Sequence, residues 1–371
     1  MTPAEKISPT QLSLLLFSFI APTVILIIPN VTIEISKQDA WMTIFPSVLI
    51  GSINIWVMIL LSNRYPGQTI IQYSSQIVGK WLSKLMGLYI LYYWINFNFI
   101  ILNQHIQFVN TVLLHRSPPI VLSLSLALLC GIAVYMGIES IARCNDYLAL
   151  VMFVLLIPLL ILMLAEYEPE RLRPVLSNGI FPVLQGSIFP AAYLSQFFIL
   201  GWLLPYLNQP KKALKASFFG LFTISGLLAI IIIPMIMIFG PLTEKLTFPL
   251  LSVIQFIGIQ GSFERMEALA VAIWVMGSFI KISLTFFVIC LSIGQLFNIK
   301  GYKDLVIPIT ILSVLGSISV FVNYSTDLNH YLRYTYPSHA LFTQLALPLI
   351  LLMIDSIKKS LEEVCTLVLL L

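Results

Sequence analysis

The chain has 371 residues, of which 59% are hydrophobic and only 10% are charged, and its formal net charge is +4. Soluble domains are roughly 45–50% apolar and about 25% charged, so this composition excludes a soluble protein. So small a net charge does not indicate a nucleic-acid partner. Ten membrane helices of about 20 residues would use about 200 residues, which leaves little room for a soluble catalytic domain. We therefore expect a polytopic protein that contacts the lipid bilayer along most of its length.

Ten charge-poor windows follow one another along the chain. They fall at about 12–34, 41–62, 85–113, 119–138, 147–165, 180–207, 216–240, 267–297, 304–323 and 338–356. Segments of this length in lipid must be helical, because a helix satisfies its own backbone hydrogen bonds. Two longer connections, 65–84 and 243–265, are moderately amphipathic and are predicted to contain short interfacial helices.

The windows, numbered here as spans 1 to 10, predict one all-α transmembrane domain at 1–360 and a short tail at 361–371. They divide into five plus five, as repeat 1 at about 8–165 and repeat 2 at about 180–356. Because each half holds an odd number of spans, the two halves would have opposite orientations in the membrane. This is the arrangement of inverted-repeat transporters.

In such folds the first helix of each half is interrupted near the membrane midplane, where free backbone groups meet a ligand. Span 1 carries Pro22 and Pro29, and span 6 carries Gly186 and Pro190. Proline removes a helical hydrogen bond and clashes with the preceding turn. We therefore predict that helices 1 and 6 are broken. Proline also occurs in five other spans, so the prediction depends on the matching positions in the two halves.

The basic residues predict the orientation of the chain in the membrane. Placing the N-terminus inside puts twelve lysines and arginines on the cytoplasmic side and seven outside. The opposite orientation would reverse this bias. We therefore expect both termini of this multi-pass protein to be cytoplasmic.

Lys281 is the one basic residue left within a span. It lies about fourteen residues into span 8, which is about 20 Å deep at about 1.5 Å per residue. Insertion of a lysine there costs about 2.5–3.5 kcal/mol, so the side chain should face the interior of the bundle. Its ammonium could replace a coupling cation beside span 1, or it could contact an anionic group of a ligand. The alternative is a structural lysine that bonds to unwound carbonyls.

Polar side chains in spans 3 and 6 are further candidates for a ligand site. Tyr93, Asn96 and Phe97 share one face of span 3, since they are three and four residues apart. Ser195 and Gln196 follow the predicted break in span 6. These groups could bind a small polar molecule, or they could form the interhelical hydrogen bonds that hold the bundle together.

The motifs of enzymes and metal sites are missing from the sequence. The four cysteines lie far apart, and no histidine has a metal-ligand partner at useful spacing, so we expect no disulfide framework, metal or cofactor. No phosphate-binding glycine loop, GxSxG or HExxH occurs. The sequence therefore gives no support for an enzyme.

Short sequence words between the spans carry a family resemblance. They are Pro29, Asp39-Ala40-Trp41, Gly79-Lys80-Trp81-Leu82, Arg116-Ser117-Pro118, Leu172-Arg173-Pro174-Val175-Leu176 with Gly179, Pro205, Phe248-Pro249, and Phe263-Glu264-Arg265-Met266-Glu267 with Trp274. In this order the chain resembles the GerAB-type spore germination proteins, the B subunits of germinant receptors, over nearly its whole length. The resemblance implies the amino acid–polyamine–organocation superfamily and its LeuT-like inverted repeat of ten helices. It also implies a place in the spore inner membrane, with receptor A and C subunits as partners and a small nutrient as ligand.

Members of that superfamily hold their ligand between the breaks of spans 1 and 6 and faces of spans 3 and 8. The resemblance, together with the polar face of span 3, gives these candidate ligand-binding residues: Ala21, Pro22, Thr23, Tyr93, Asn96, Phe97, Gln196, Ile280 and Lys281. The superfamily often has a glycine-rich break in span 1, whereas this chain has Ala21-Pro22-Thr23-Val24. Side chains and a missing N–H alter the surface that would meet a ligand carboxylate, unless Lys281 supplies the positive partner.

Three functions fit these features of the sequence. The first is a receptor subunit that binds an amino acid, a sugar or a nucleoside at the midplane and triggers germination. The second is a proton-coupled amino acid or nutrient permease, which would share the fold and complete a transport cycle. The third is a purely structural membrane anchor for the A subunit, which would leave Lys281 unexplained.

Overall fold

The computed structural model describes residues 5–163, 168–246, 250–253, 267–320, 328 and 330–370. Ten helical stretches within these ranges are long and apolar enough to cross a membrane, which confirms the ten predicted spans. The β-structure in the described ranges is one isolated parallel bridge between Ile7 and Leu207. The protein is therefore an all-α, multi-pass membrane protein.

The spans have the following bounds in chain order. They are Pro9–Leu26 with Ile28–Ser36 (span 1), Ile44–Arg64 (2), Lys80–Val112 (3), Pro119–Met136 (4), Ile138–Met163 (5), Phe181–Leu194 with three short segments to Tyr206 (6), Ala213–Phe239 (7), Glu267–Phe297 (8), Val306–Ser319 (9), and four consecutive segments from Tyr331 to Leu370 (10). A separate helix, Ile70–Val78, confirms the first predicted connecting helix. The second connection, 243–265, lies largely outside the described residues. Span 10 continues as helix through most of the predicted tail.

Span 1 is broken, but not where its first proline predicts. Its helix begins after Ser8, whose hydroxyl accepts from the backbone N–H of Gln11 in a capping box. The helix continues through Pro22 to Leu26. The interruption is at Ile27, and Pro29 lies in the first turn of the second helix. A proline ring clashes with the carbonyl four residues earlier, while its missing N–H is harmless in a first turn. The expected break at Ala21-Pro22-Thr23-Val24 is therefore wrong, because Pro29 sets the position.

Span 6 is broken at Ser195–Ile199, which forms a 3-10 segment after the helix Phe181–Leu194. Pro190 and Gly186 both lie within that helix. Gly186 instead permits close packing, since a Cβ there would collide with the Ser36 hydroxyl at the end of span 1. The paired breaks are therefore present, and the second begins five residues after the proline that predicted it.

Spans 1, 6 and 8 form the interior of the bundle. Of their most apolar windows, 78%, 94% and 83% of the residues are buried, whereas the windows of spans 4, 5 and 9 are 39% buried or less. Span 8 packs against spans 1, 3, 4 and 5, and the first helix of span 1 packs against spans 5, 7 and 8. A polar group on spans 1, 6 or 8 is therefore shielded from lipid by the surrounding helices.

Candidate ligand-binding site

Lys281 lies in the interior of the bundle, as its depth in span 8 predicts. The side chain is 1% exposed, and its Nζ donates to Thr23 Oγ1 at 2.6 Å and to Gln196 Oε1 at 3.0 Å. Thr23 is near the end of the first helix of span 1, and Gln196 is in the 3-10 segment of span 6. One amino group thus connects both broken helices with span 8.

Two aromatic rings complete the surroundings of this amino group. Nζ of Lys281 lies 5.0 Å from the ring centre of Phe19 and 5.3 Å from that of Phe97. An ammonium over an aromatic face within about 6 Å is attracted to the ring, by about 2 kcal/mol or more when both are desolvated. Phe19 is one helical turn before Thr23 and belongs to the same face of span 1.

The polar partners of Lys281 are all neutral. Within the described ranges, no carboxylate lies within 4.0 Å of its Nζ. A buried charge without an opposite charge is costly, even when hydrogen bonds and ring faces offset part of the cost. Among the described residues, the burial of this amino group is therefore offset by a hydroxyl oxygen, an amide oxygen and two ring faces.

Gln196 extends the site toward span 10. Its Nε2 donates to the hydroxyl of Tyr336 at 2.9 Å, while its Oε1 accepts from Lys281. Both side chains are buried, and the two bonds fix which way the amide points. Displacing Lys281 would leave the Gln196 oxygen without its donor.

The polar face of span 3 meets the site through two rings. Tyr93 stacks on Phe97 with ring centres 6.0 Å apart, and Phe97 stacks on Tyr336 at 6.4 Å. The Tyr93 hydroxyl accepts from Nε2 of Gln344 at 2.5 Å. Spans 3, 6 and 10 therefore share one wall of the site, with Phe97 at its centre.

With this geometry established, comparison with known proteins identifies the family. Residues 6–325 match the family described as spore germination protein. The chain belongs to that family. It is 26% identical to spore germination protein YndE of Bacillus subtilis (strain 168), over 98% of this chain and 99% of that protein. It is 28% identical to spore germination protein KB of the same strain, over 96% of each chain.

Solved structures of transporters share the fold of this spore germination family member. MhsT in complex with L-phenylalanine superposes with a TM-score of 0.70 at 13% identity, over 95% of this chain and 98% of that one. Mhp1, a nucleobase-cation-symport-1 family transporter with bromovinylhydantoin bound, gives 0.68 at 14% identity, over 94% and 78%. These likenesses confirm the LeuT-like inverted repeat of five plus five helices with broken helices 1 and 6.

In this germination family member, four of the nine predicted residues meet at one point, because Thr23, Phe97 and Gln196 surround the amino group of Lys281. Tyr93 lies one contact further away, where it stacks on Phe97. Ala21 and Ile280, the chain neighbours of Pro22 and Lys281, are fully buried. Pro22 instead packs against Gly277 of span 8, so closely that a Cβ on Gly277 would collide with the proline ring. Pro22 also lines an apolar pocket.

Asn96 is not brought to the amino group. Its side chain is half-buried and its Nδ2 donates to the carbonyl of Tyr92, on its own helix, at 2.9 Å. Tyr93 and Phe97 therefore carry the contribution of span 3.

Three site residues were not predicted from the sequence: Phe19, Tyr336 and Gln344. Phe19 could have been found, because it lies four residues before Thr23 on the same helical face. Tyr336 lies just before the predicted window of span 10, and nothing local marks Gln344. No three His, Cys, Asp or Glu side chains of the described residues are grouped as metal ligands.

Proposed function

We propose that this chain is the nutrient-binding membrane subunit of a spore germinant receptor. A small nutrient, such as an amino acid, a sugar or a nucleoside, binds beside Lys281 and triggers germination through receptor A and C subunits. The single observation that carries this proposal is the buried amino group of Lys281, which joins both broken helices without a carboxylate partner among the described residues.

The chemistry around Lys281 suits a small polar molecule. Hydroxyl and amide groups of Tyr93, Gln196 and Tyr336 offer a few fixed hydrogen bonds between aromatic faces, which is the usual composition of a ligand pocket. An anionic group on the nutrient would take the place of Gln196 Oε1, the more distant of the two oxygens that accept from Lys281. The nutrient shifts the conformation only as far as it binds one state better than the other.

The proposed location is the spore inner membrane, with both termini in the cytoplasm. It is supported by the bias of basic residues toward one side of the membrane. Lys6 and Lys303 are two of the twelve basic residues that this orientation places in the cytoplasm, and they lie at the same end of the bundle. Lys6 donates to the carbonyl of Pro205, and Lys303 pairs with Glu5. The family membership and the named relatives support the role in germination.

The test is Lys281→Met in spores that retain only this receptor, exposed to a panel of amino acids, sugars and nucleosides. Methionine keeps most of the volume and removes the amino group. We expect the response to the active nutrient to be lost while the protein still accumulates in the spore membrane. Lys300→Met, at an exposed position between spans 8 and 9, is the matched control and should respond normally. A normal response of Lys281→Met would remove this site from the proposal.

A second candidate function is that of a proton-coupled nutrient permease. It is favoured by one observation: the fold matches complete transporters along nearly the whole chain. Uptake of the active nutrient by the purified protein in proteoliposomes distinguishes the two functions. Uptake that depends on a proton gradient and is lost in Lys281→Met would favour the permease, whereas binding without uptake would favour the receptor subunit.

A further inference from the structure

An irregular turn of span 10 faces the 3-10 segment of span 6 at the level of the site. Span 10 contains two π-helical turns, Tyr331–Thr335 and Phe342–Ala346. The second packs against the 3-10 segment Ser195–Ile199 of span 6. Such turns change the helical hydrogen-bonding pattern, leave carbonyls without their usual donors, and are frequent at functional sites.

Asn54 of span 2 bonds to the 3-10 segment of span 6 and to the second π-helical turn of span 10. Its Nδ2 donates to the backbone carbonyl of Ser195 at 3.0 Å and to that of Gln344 at 2.6 Å. Asn54 is 1% exposed, so water does not supply these bonds. A primary amide offers two N–H groups on one atom, which is what bridging two carbonyls requires.

The side chains of Ser195 and Gln344 tighten this connection. The Ser195 hydroxyl lies 2.6 Å from Gln344 Oε1, and Gln344 Nε2 donates to the Tyr93 hydroxyl at 2.5 Å. We call the three residues Asn54, Ser195 and Gln344 the Asn54 clamp. The clamp joins spans 2, 6 and 10, and through Tyr93 it also meets span 3.

The Asn54 clamp is connected to the Lys281 site by two routes. Ser195 is the chain neighbour of Gln196, whose Oε1 accepts from Lys281. Tyr93 stacks on Phe97, whose ring lies under the amino group of Lys281. A displacement of Gln196 or Phe97 by a ligand therefore acts directly on the clamp.

We propose that Asn54 is a positioning residue that couples occupation of the Lys281 site to movement of span 10. This inference rests on the proposed function, because it takes Lys281 as the place where the nutrient binds. Span 10 is suited to transmit the movement, since it is paired at both ends. Arg333 pairs with Glu34 on the second helix of span 1, and the buried Asp355 pairs with Arg64 at the end of span 2.

A double-mutant cycle without any nutrient tests this coupling. The variants are Lys281→Met, Asn54→Asp and the double variant, each as the full chain in lipid nanodiscs. Aspartate is close to isosteric with asparagine, and its carboxyl group has at most one O–H donor, so it cannot bridge the two carbonyls as the amide does. The measurement is hydrogen–deuterium exchange of the backbone amides in Phe342–Ala346. When Asn54 is present, Lys281→Met should speed this exchange about threefold or more, because interacting residues show coupling free energies of this order. In the Asn54→Asp background, Lys281→Met should cause no further change.

Asn96→Asp is the matched control, because Asn96 bonds within its own helix, and it should leave the effect of Lys281→Met unchanged. The proposal would be overturned if the two substitutions changed the exchange rate independently, so that the double variant showed the product of the two single effects. A uniform rise in exchange that includes Pro119–Met136 of span 4 would also overturn it, since that is general destabilisation. If Asn54→Asp does not accumulate, Asn54→Ala removes the same donors without adding a charge. The cycle needs no nutrient, so its outcome is separate from that of the spore assay.

Discussion

Replacing Thr23 by valine removes one hydroxyl from the site at almost constant volume. Thr23 is 3% exposed, and its Oγ1 accepts from Lys281 at 2.6 Å. A hydrogen bond to a charged group contributes about 1.5–3 kcal/mol, and valine offers no replacement. The hydroxyl also donates to the Ile20 carbonyl at 3.1 Å, but that carbonyl lies within a helix and keeps its helical donor. We therefore expect Thr23→Val to lower the free energy of unfolding by about 1.5–3 kcal/mol.

The assay is SDS titration of the detergent-solubilised protein, with two comparison variants. Thr23→Ser keeps the hydroxyl and should retain most of the stability. Thr223→Val makes the same chemical change at a half-buried position of span 7, where the hydroxyl bonds to its own helix. Its cost should stay within about 0.5 kcal/mol. Equal stability of Thr23→Val and Thr223→Val would refute the reasoning, because the Lys281 amino group would then not depend on Thr23.

Two further predictions follow from the site and from the end of span 10. Gln196→Ala and Tyr93→Ala should each raise the nutrient concentration for half-maximal germination about 2–12-fold, the equivalent of one hydrogen bond of about 0.5–1.5 kcal/mol. Unchanged dose-response curves for both would mean that the nutrient binds elsewhere. Asp355→Asn should lower the free energy of unfolding by about 3 kcal/mol, because it removes the buried negative charge that pairs with the guanidinium of Arg64. Glu139→Gln breaks an exposed ion pair and should cost less than about 0.5 kcal/mol in the same SDS titration, so similar losses for both would contradict the expected difference between buried and exposed pairs.

The number of spans and the inward direction of Lys281 could be predicted because lipid imposes them. A chain in lipid must bond its own backbone, and a lysine cannot remain exposed to hydrocarbon. The contacts of Lys281 with Thr23 of span 1 and Gln196 of span 6 agree with the family resemblance, which placed these residues opposite each other. These features could be predicted because an unbonded backbone group or a lysine in hydrocarbon has a high free-energy cost, and only one arrangement avoids it.

The exact positions of the helix breaks and the contribution of span 10 to the site could not be predicted, because the sequence allows several arrangements of similar free energy. Pro22 and Pro29 both remove a helical donor, yet the helix continues through the first and is interrupted two residues before the second. Asn54, which donates to the backbone carbonyl of Gln344 in the π-helical turn, is 290 residues away in the chain. Only the three-dimensional arrangement brings these two residues together.

The most direct test of the central claim is equilibrium binding of the active nutrient to the purified full chain in lipid nanodiscs. The nutrient is the one identified in the spore panel, and binding is compared between the unmodified chain, Lys281→Met and the exposed control Lys300→Met. We predict saturable binding to the unmodified chain and to Lys300→Met, and at least about a tenfold loss of affinity, or about 1.4 kcal/mol, in Lys281→Met. Equal affinity in all three proteins would contradict the claim that the buried amino group between spans 1, 6 and 8 receives the nutrient.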